Sequence, residues 1–137
     1  MQLHLTLGNY FCRGDKMYGE IAELTVLFYG GTAIRSAVTS RGELYLLASD
    51  FGKDILGLSN PGHLLSNLEP GFKKKVKLSF EEHLNPQNYV LVNRYGVMSM
   101  LFRAKQPRVS RKDFLDWFLQ TEKESTLHKR VPSSSSY

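Results

Sequence analysis

The chain has 137 residues, 42% of them hydrophobic and 23% charged, with a net charge of +5; that length holds one core and leaves little room for two. No apolar run approaches the roughly 18 residues of a membrane span, and "MQLHLTLGNYFCRGDK" does not read as a secretory signal. The single cysteine, Cys12, excludes an intrachain disulfide, fits a reducing compartment and reads as a small buried hydrophobe. The charge is uneven: residues 1–70 hold five Lys/Arg against seven Asp/Glu, and residues 71–137 hold thirteen against six. A basic second half favours polyanionic partners through counterion release.

Residues 1–23 read as a lead-in in which Leu3, Leu5 and Leu7 alternate as in a half-buried strand. "RGD" at Arg13 to Asp15 reads as a turn. Three strands follow, Leu24 to Phe28, Ala33 to Val38 and Glu43 to Ala48. Glycine-containing turns join them, the pattern of an antiparallel meander. In "ASDFGKDILGLSNPGHLLSNL" (residues 48–68), Ser49 or Asp50 caps a short helix that Gly57 ends, and Ser59 or Asn60 caps a second that begins at Pro61. If the pair forms a helix-turn-helix, Leu64, Leu65 and Leu68 pack inward while Gly62, His63, Ser66 and Asn67 face out.

"KKVKLSF" places Val76, Leu78 and Phe80 on one face of a strand and Lys75, Lys77 and Ser79 on the other. "EEHLNPQN" reads as a loop and Tyr89 to Asn93 as a strand. "RYGVMSMLFRAK" reads as a helix with Val97 and Leu101, together with Met98 and Phe102, toward the core, stopping before Pro107. Ser110 and Asp113 have capping-box spacing, and Phe114, Trp117, Phe118 and Thr121 follow at helical intervals as core. The polar tail, 127–137, reads as disordered.

Catalytic and metal-binding signatures do not emerge. His4, His63, His83 and His128 have no partner at metal-ligand spacing, and "EEHL" lacks the second histidine of a zinc-protease helix. There is no G-x-S-x-G elbow, and the adjacent glycines of "FYGGTAIRS" lack the lysine of a phosphate loop. The expectation is a non-enzyme without cofactor or metal. The cations form three sets: Lys73, Lys74, Lys75 and Lys77; Arg94 with Arg103, Lys105 and Arg108 around one helix; and Arg111 with Lys112 in the first turn of the last. Positive charge near a helix N-terminus opposes the macrodipole. Either a phosphate binds there or Asp113 and solvent offset the cost. In the second short helix Asn60, His63 and Asn67 are candidates for base contact, although that helix offers no Arg or Lys to guanine.

Taken together, residues 24–124 resemble the BRO family N-terminal domain of viral BRO proteins and phage antirepressors. The resemblance is carried by Phe28 and Gly30, Arg35, Ala48 and Asp50, Leu56-Gly57 with Asn60, Val92-Asn93 with Gly96, Phe102-Arg103 with Pro107, and Phe114 with Trp117. Leu47 and Ser49 stand where the family has valine and lysine, and residues 1–23 have no counterpart. The resemblance implies a single α+β domain over 24–126, acting without catalysis to alter transcription or replication in a virus or phage.

The combined expectation is a small antiparallel sheet with a short helix pair and two further helices. Nucleic acid is the expected partner, DNA ahead of RNA, with no membrane. The alternative is a protein-interaction module, an antirepressor that binds a host or viral regulator through an apolar patch around Tyr89, Tyr95 or the last helix. The chain is expected in the host cytoplasm or nucleus, and a homodimer is compatible with either role.

Overall fold

A computed structural model describes residues 2–5, 21–80 and 85–134, with backbone alone for 2–5 and 126–134. The readings placed on Leu7, Cys12, the Arg13–Asp15 tripeptide, Glu81, Glu82 and His83 lie outside these residues, as do the side chains of His4 and His128.

Alternating apolar residues build the sheet, with one two-residue turn between β2 and β3. Strand β1 (Gln2–Leu5) pairs with β2 (Ile21–Tyr29), which folds back onto β3 (Thr32–Thr39). Gly30 and Gly31 sit at φ 57° and 85°, the positive values that a tight hairpin turn demands. Next come β4 (Leu44–Leu47) and, later in the chain, β5 (Lys73–Leu78) and β6 (Gln87–Val92). Every pairing is antiparallel, and the six strands lie in the order β1-β2-β3-β4-β6-β5. The β4–β6 seam is short, with Leu46 opposite Val92 and Leu47 opposite Leu91.

The helical elements contribute to one face of this sheet. Helix α1 (Ala48–Asp50) widens into a π turn (Phe51–Ile55), closed by Leu56 N donating to Phe51 O at 3.0 Å. Gly57, at φ 74°, then reverses the chain. Helix α2 (Gly62–Ser66) is followed by a 3₁₀ turn (Pro70–Phe72), and beyond the sheet lie α3 (Arg94–Arg103) and α4 (Arg111–Ser134). Phe51, Ile55, Leu68, Val97, Met100, Leu101, Phe114 and Phe118 pack with Leu27, Ile34, Val38, Leu44, Leu46 and Val92 in the main core. Tyr29 meets both Phe114 (4.9 Å) and Trp117 (5.2 Å) edge-on. Leu24, Ala37, Tyr45, Leu47 and Leu91, on the opposite faces of these strands, form a second buried cluster with Val76 and Leu78 of β5.

The bend between α1 and α2 is tight because two backbones nearly touch. A Cβ on Gly52 would lie 2.6 Å from Cβ of Pro61. Pro61, not Ser59 or Asn60, holds the N-cap position of α2, and Asn60 just before it accepts from Gly62 N through Oδ1 at 3.2 Å. Asp50 does not cap α1; Leu47 holds that position with no side-chain bond. The β3–β4 ladder ends at Ser36–Leu46, and one residue further along β3 the amide of Arg35 donates to Asp50 Oδ2 at 2.9 Å. Strand completion thus takes the carboxylate that local sequence assigns to a helix start.

Three other expectations change. Strand β2 begins at Ile21, within the stretch assigned to the lead-in. Helix α4 continues through Ser134, into the stretch read as a disordered tail. Phe102, expected toward the core, is 67% exposed. The core stripe of α3 is Val97, Met100, Leu101 and Ala104, and Phe102 lies well round the helix from it.

Candidate nucleic-acid interface

Helix α2 presents the polar surface its sequence implies. His63, Ser66 and Asn67 are exposed, Leu68 is buried, and Leu64 and Leu65 are half-buried. Cations reach this helix from two other elements. Lys73, the first residue of β5, donates from Nζ to Leu65 O at 2.6 Å. Arg103, at the end of α3, donates from Nη1 to Asn67 O at 3.4 Å. Both bonds go to carbonyls near the C-terminus of α2, where positive charge is favoured.

Strand alternation extends the group. Lys75 and Lys77 share the face of β5 with Lys73 and are exposed, while Val76 and Leu78 turn into the second cluster. Lys105 is exposed beyond α3. Arg108 is tied to the helix pair, since its amide donates to Ile55 O at 3.2 Å and its side chain occupies the space beside Gly57. From Asn85 to Lys112 the chain contains no Asp or Glu.

Other cations singled out by charge alone have different work. Lys74 points to the opposite face of β5, its Nζ 5.4 Å from the Tyr45 ring. Arg94 lies 3.4 Å from Glu122 Oε1 and over the Tyr95 ring, while Glu122 Oε2 accepts from Leu44 N at 3.0 Å. Arg111 donates to Leu101 O (2.8 Å) and Ala104 O (2.6 Å) at the end of α3. Its charge therefore complements the α3 dipole, which answers its unfavourable place at the start of α4. Lys112 pairs with Asp116 at 2.8 Å, and this hydrogen bond raises its pKa. The last helix is capped by Ser110, whose Oγ accepts from Asp113 N at 3.2 Å.

The residues that carry the family resemblance are mostly architectural. Arg35 Nε and Nη2 grip both oxygens of Asp50 at 2.9 and 3.0 Å, and its guanidinium lies 5.6 and 5.5 Å from the Phe80 and Tyr89 rings. The hydrogen bond to Asp50 is the leading cause of a raised Arg35 pKa. Asn93 caps α3, its Oδ1 accepting from Tyr95 N and Gly96 N, while its Nδ2 donates to Gly71 O. Gly96 has no space for a side chain, since a Cβ would lie 2.6 Å from Phe72 O. Phe102 and Arg103 differ in that both face solvent.

Among the described residues, no helix is long and apolar enough to cross a membrane, and no cluster of His, Cys, Asp and Glu could hold a metal. These features define a small α+β domain: an antiparallel sheet, helices packed over one face, and a polar helix with two cations at its C-terminal end. Residues 33–123 match the model of the BRO family, N-terminal domain, and the chain belongs to that family. No curated protein and no solved structure matches the chain.

Proposed function

We propose that this domain is a non-enzymatic nucleic-acid-binding regulator of a virus or phage, engaging DNA through α2 and the lysine edge of β5. One observation carries the reading: α2 exposes His63 and Asn67, and Lys73 and Arg103, from two other elements, both bond to carbonyls at its C-terminal end. Lysine and arginine contacts to phosphate set register and supply salt-dependent affinity, and Asn60, His63 and Asn67 are the groups suited to base edges. Family membership supports a regulatory DNA-binding role.

Duplex-DNA titration at several salt concentrations tests this. The binding constant should fall steeply with salt, and Lys75→Gln with Lys77→Gln should lower the logarithmic slope by about 1.8, at ~0.9 per lost phosphate contact. A response flat in salt, or a slope unchanged in the double variant, overturns the proposed surface. Parallel titrations with single-stranded DNA and RNA rank the partners.

A further inference from the structure

We propose that the outward face of α3 is a docking surface for an acidic amphipathic helix of a partner protein. The inference goes beyond DNA binding and stands chiefly on Tyr95 and Phe102. Helix α3 buries Val97, Met100, Leu101 and Ala104. On its other side Tyr95 is 52% and Phe102 67% exposed, the two large hydrophobic side chains left open among the described residues. They are seven residues apart, two helical turns, so they lie in line about 10 Å apart along the axis. Met98 and Ser99, half-buried, fill the interval. A second helix presents its apolar residues at this same i, i+7 repeat.

Tyr95 is already held for such a role. Its ring stacks on Phe72 with centroids 5.7 Å apart and 29° between planes, and Arg94 lies 5.7 Å from its centroid. A ring fixed by neighbours loses little entropy on binding, which suits a hot-spot anchor. Those contacts also occupy the ring, which argues against bases stacking on it.

Charge selects the occupant. Arg94, 3.4 Å from Glu122 Oε1, stands at the start of the stripe; Arg103 follows Phe102, Lys105 lies just beyond, and the sequence has no carboxylate from Asn85 to Lys112. A second copy packed antiparallel about a two-fold axis would bring Arg94 toward its partner's Arg103, and a parallel copy would oppose like residues. Both arrangements set cation against cation. A helix with apolar residues on one face and carboxylates along its flanks fits both the stripe and its cationic end at Arg103 and Lys105.

The test uses the full chain and a fluorescent helical peptide of about 15 residues, the length at which isolated helices become marginally stable. Leucines occupy one face and glutamates the other, and a matched peptide carries lysines in place of the glutamates. Anisotropy should show binding of the glutamate peptide and none of the lysine peptide. Phe102→Ser should weaken binding at least about tenfold, as loss of a hot-spot side chain does. Phe102→Lys, a second surface change that leaves the core stripe intact, should do the same with an unchanged urea midpoint. No binding of the glutamate peptide, equal binding of both, or affinity indifferent to Phe102 overturns the proposal. So does a single-stranded oligonucleotide that binds through Phe102 while the peptide does not. The Lys75→Gln/Lys77→Gln protein should hold the peptide as well as wild type does, so this surface and the DNA-binding edge can fail independently.

Discussion

Replacing Gly96 with alanine should destabilise the protein, although alanine is the better helix former. The helical preference favours the change by about 1 kcal/mol. The added Cβ, however, would stand 2.6 Å from Phe72 O and 2.8 Å from Val92 Cβ. The carbonyl cannot retreat freely, because Phe72 O accepts from Asn93 N at 3.1 Å. Asn93 in turn is fixed by Gly71 O at 2.9 Å and by the two amides it caps, at 3.0 and 3.1 Å. Relief of the clash therefore loosens the α3 cap, worth ~1 kcal/mol, on top of an overpacking cost of ~1–3 kcal/mol. The net expectation is a loss of about 1–3 kcal/mol, read as a lower urea midpoint at unchanged m. Gly71→Ala, where nothing lies within 4 Å of the added atom, is the control and should change stability by less than about 0.5 kcal/mol. A Gly96→Ala protein as stable as wild type would refute the close-approach account.

Three further changes address the other joints of the fold. Asp50→Ala removes the acceptor of three hydrogen bonds from Arg35, one of them donated by its main-chain N–H; after discounting for the partly exposed guanidinium the loss should be about 2–3 kcal/mol. Asp50→Asn retains an acceptor for the Arg35 amide and should lose about half as much, so equal losses by urea denaturation would deny the main-chain bond its importance. Gly57→Ala forces a Cβ into the left-handed region at φ 74° and should cost about 1–2 kcal/mol, with Gly57→Asn milder in the same assay. Arg111→Met should lower stability by about 1–2 kcal/mol while leaving the salt slope of DNA binding unchanged; a slope reduced by about one unit would return Arg111 to the phosphate-contacting set.

The sheet was legible where one periodicity governed a short segment. Leu24, Leu27, Ile34, Val38, Leu44 and Leu46 advertise strands with two buried faces, and Gly30-Gly31 marks the hairpin between the first pair of that meander. What the sequence conceals is competition for polar groups. Asp50 has the residue type and place of a helix cap, yet the amide of Arg35, fifteen positions earlier, claims it. The placing of β6 between β4 and β5 rests on long-range pairing with no local signature.

The candidate surface was legible only as a list of charges. Asn60, His63 and Asn67 stand where the helical pattern placed them, and α2 recruits Lys73 and Arg103. Composition could not say that Arg111 would satisfy carbonyls of α3 or that Lys74 would point away from its neighbours. The exposed Tyr95 and Phe102 did leave a trace. Val97, Met100, Leu101 and Ala104 complete an i, i+3, i+4, i+7 stripe by themselves, and a helix with its core face already filled has no inward place for two more aromatics.

The two-rung seam between β4 and β6 divides the sheet into a four-stranded body and a hairpin that carries Lys75 and Lys77. Few main-chain bonds join that ribbon to the meander, so its amides should exchange with deuterium earlier than those of β2 and β3. Lys75 and Lys77 are thereby carried on the part of the sheet with the fewest main-chain bonds to the meander.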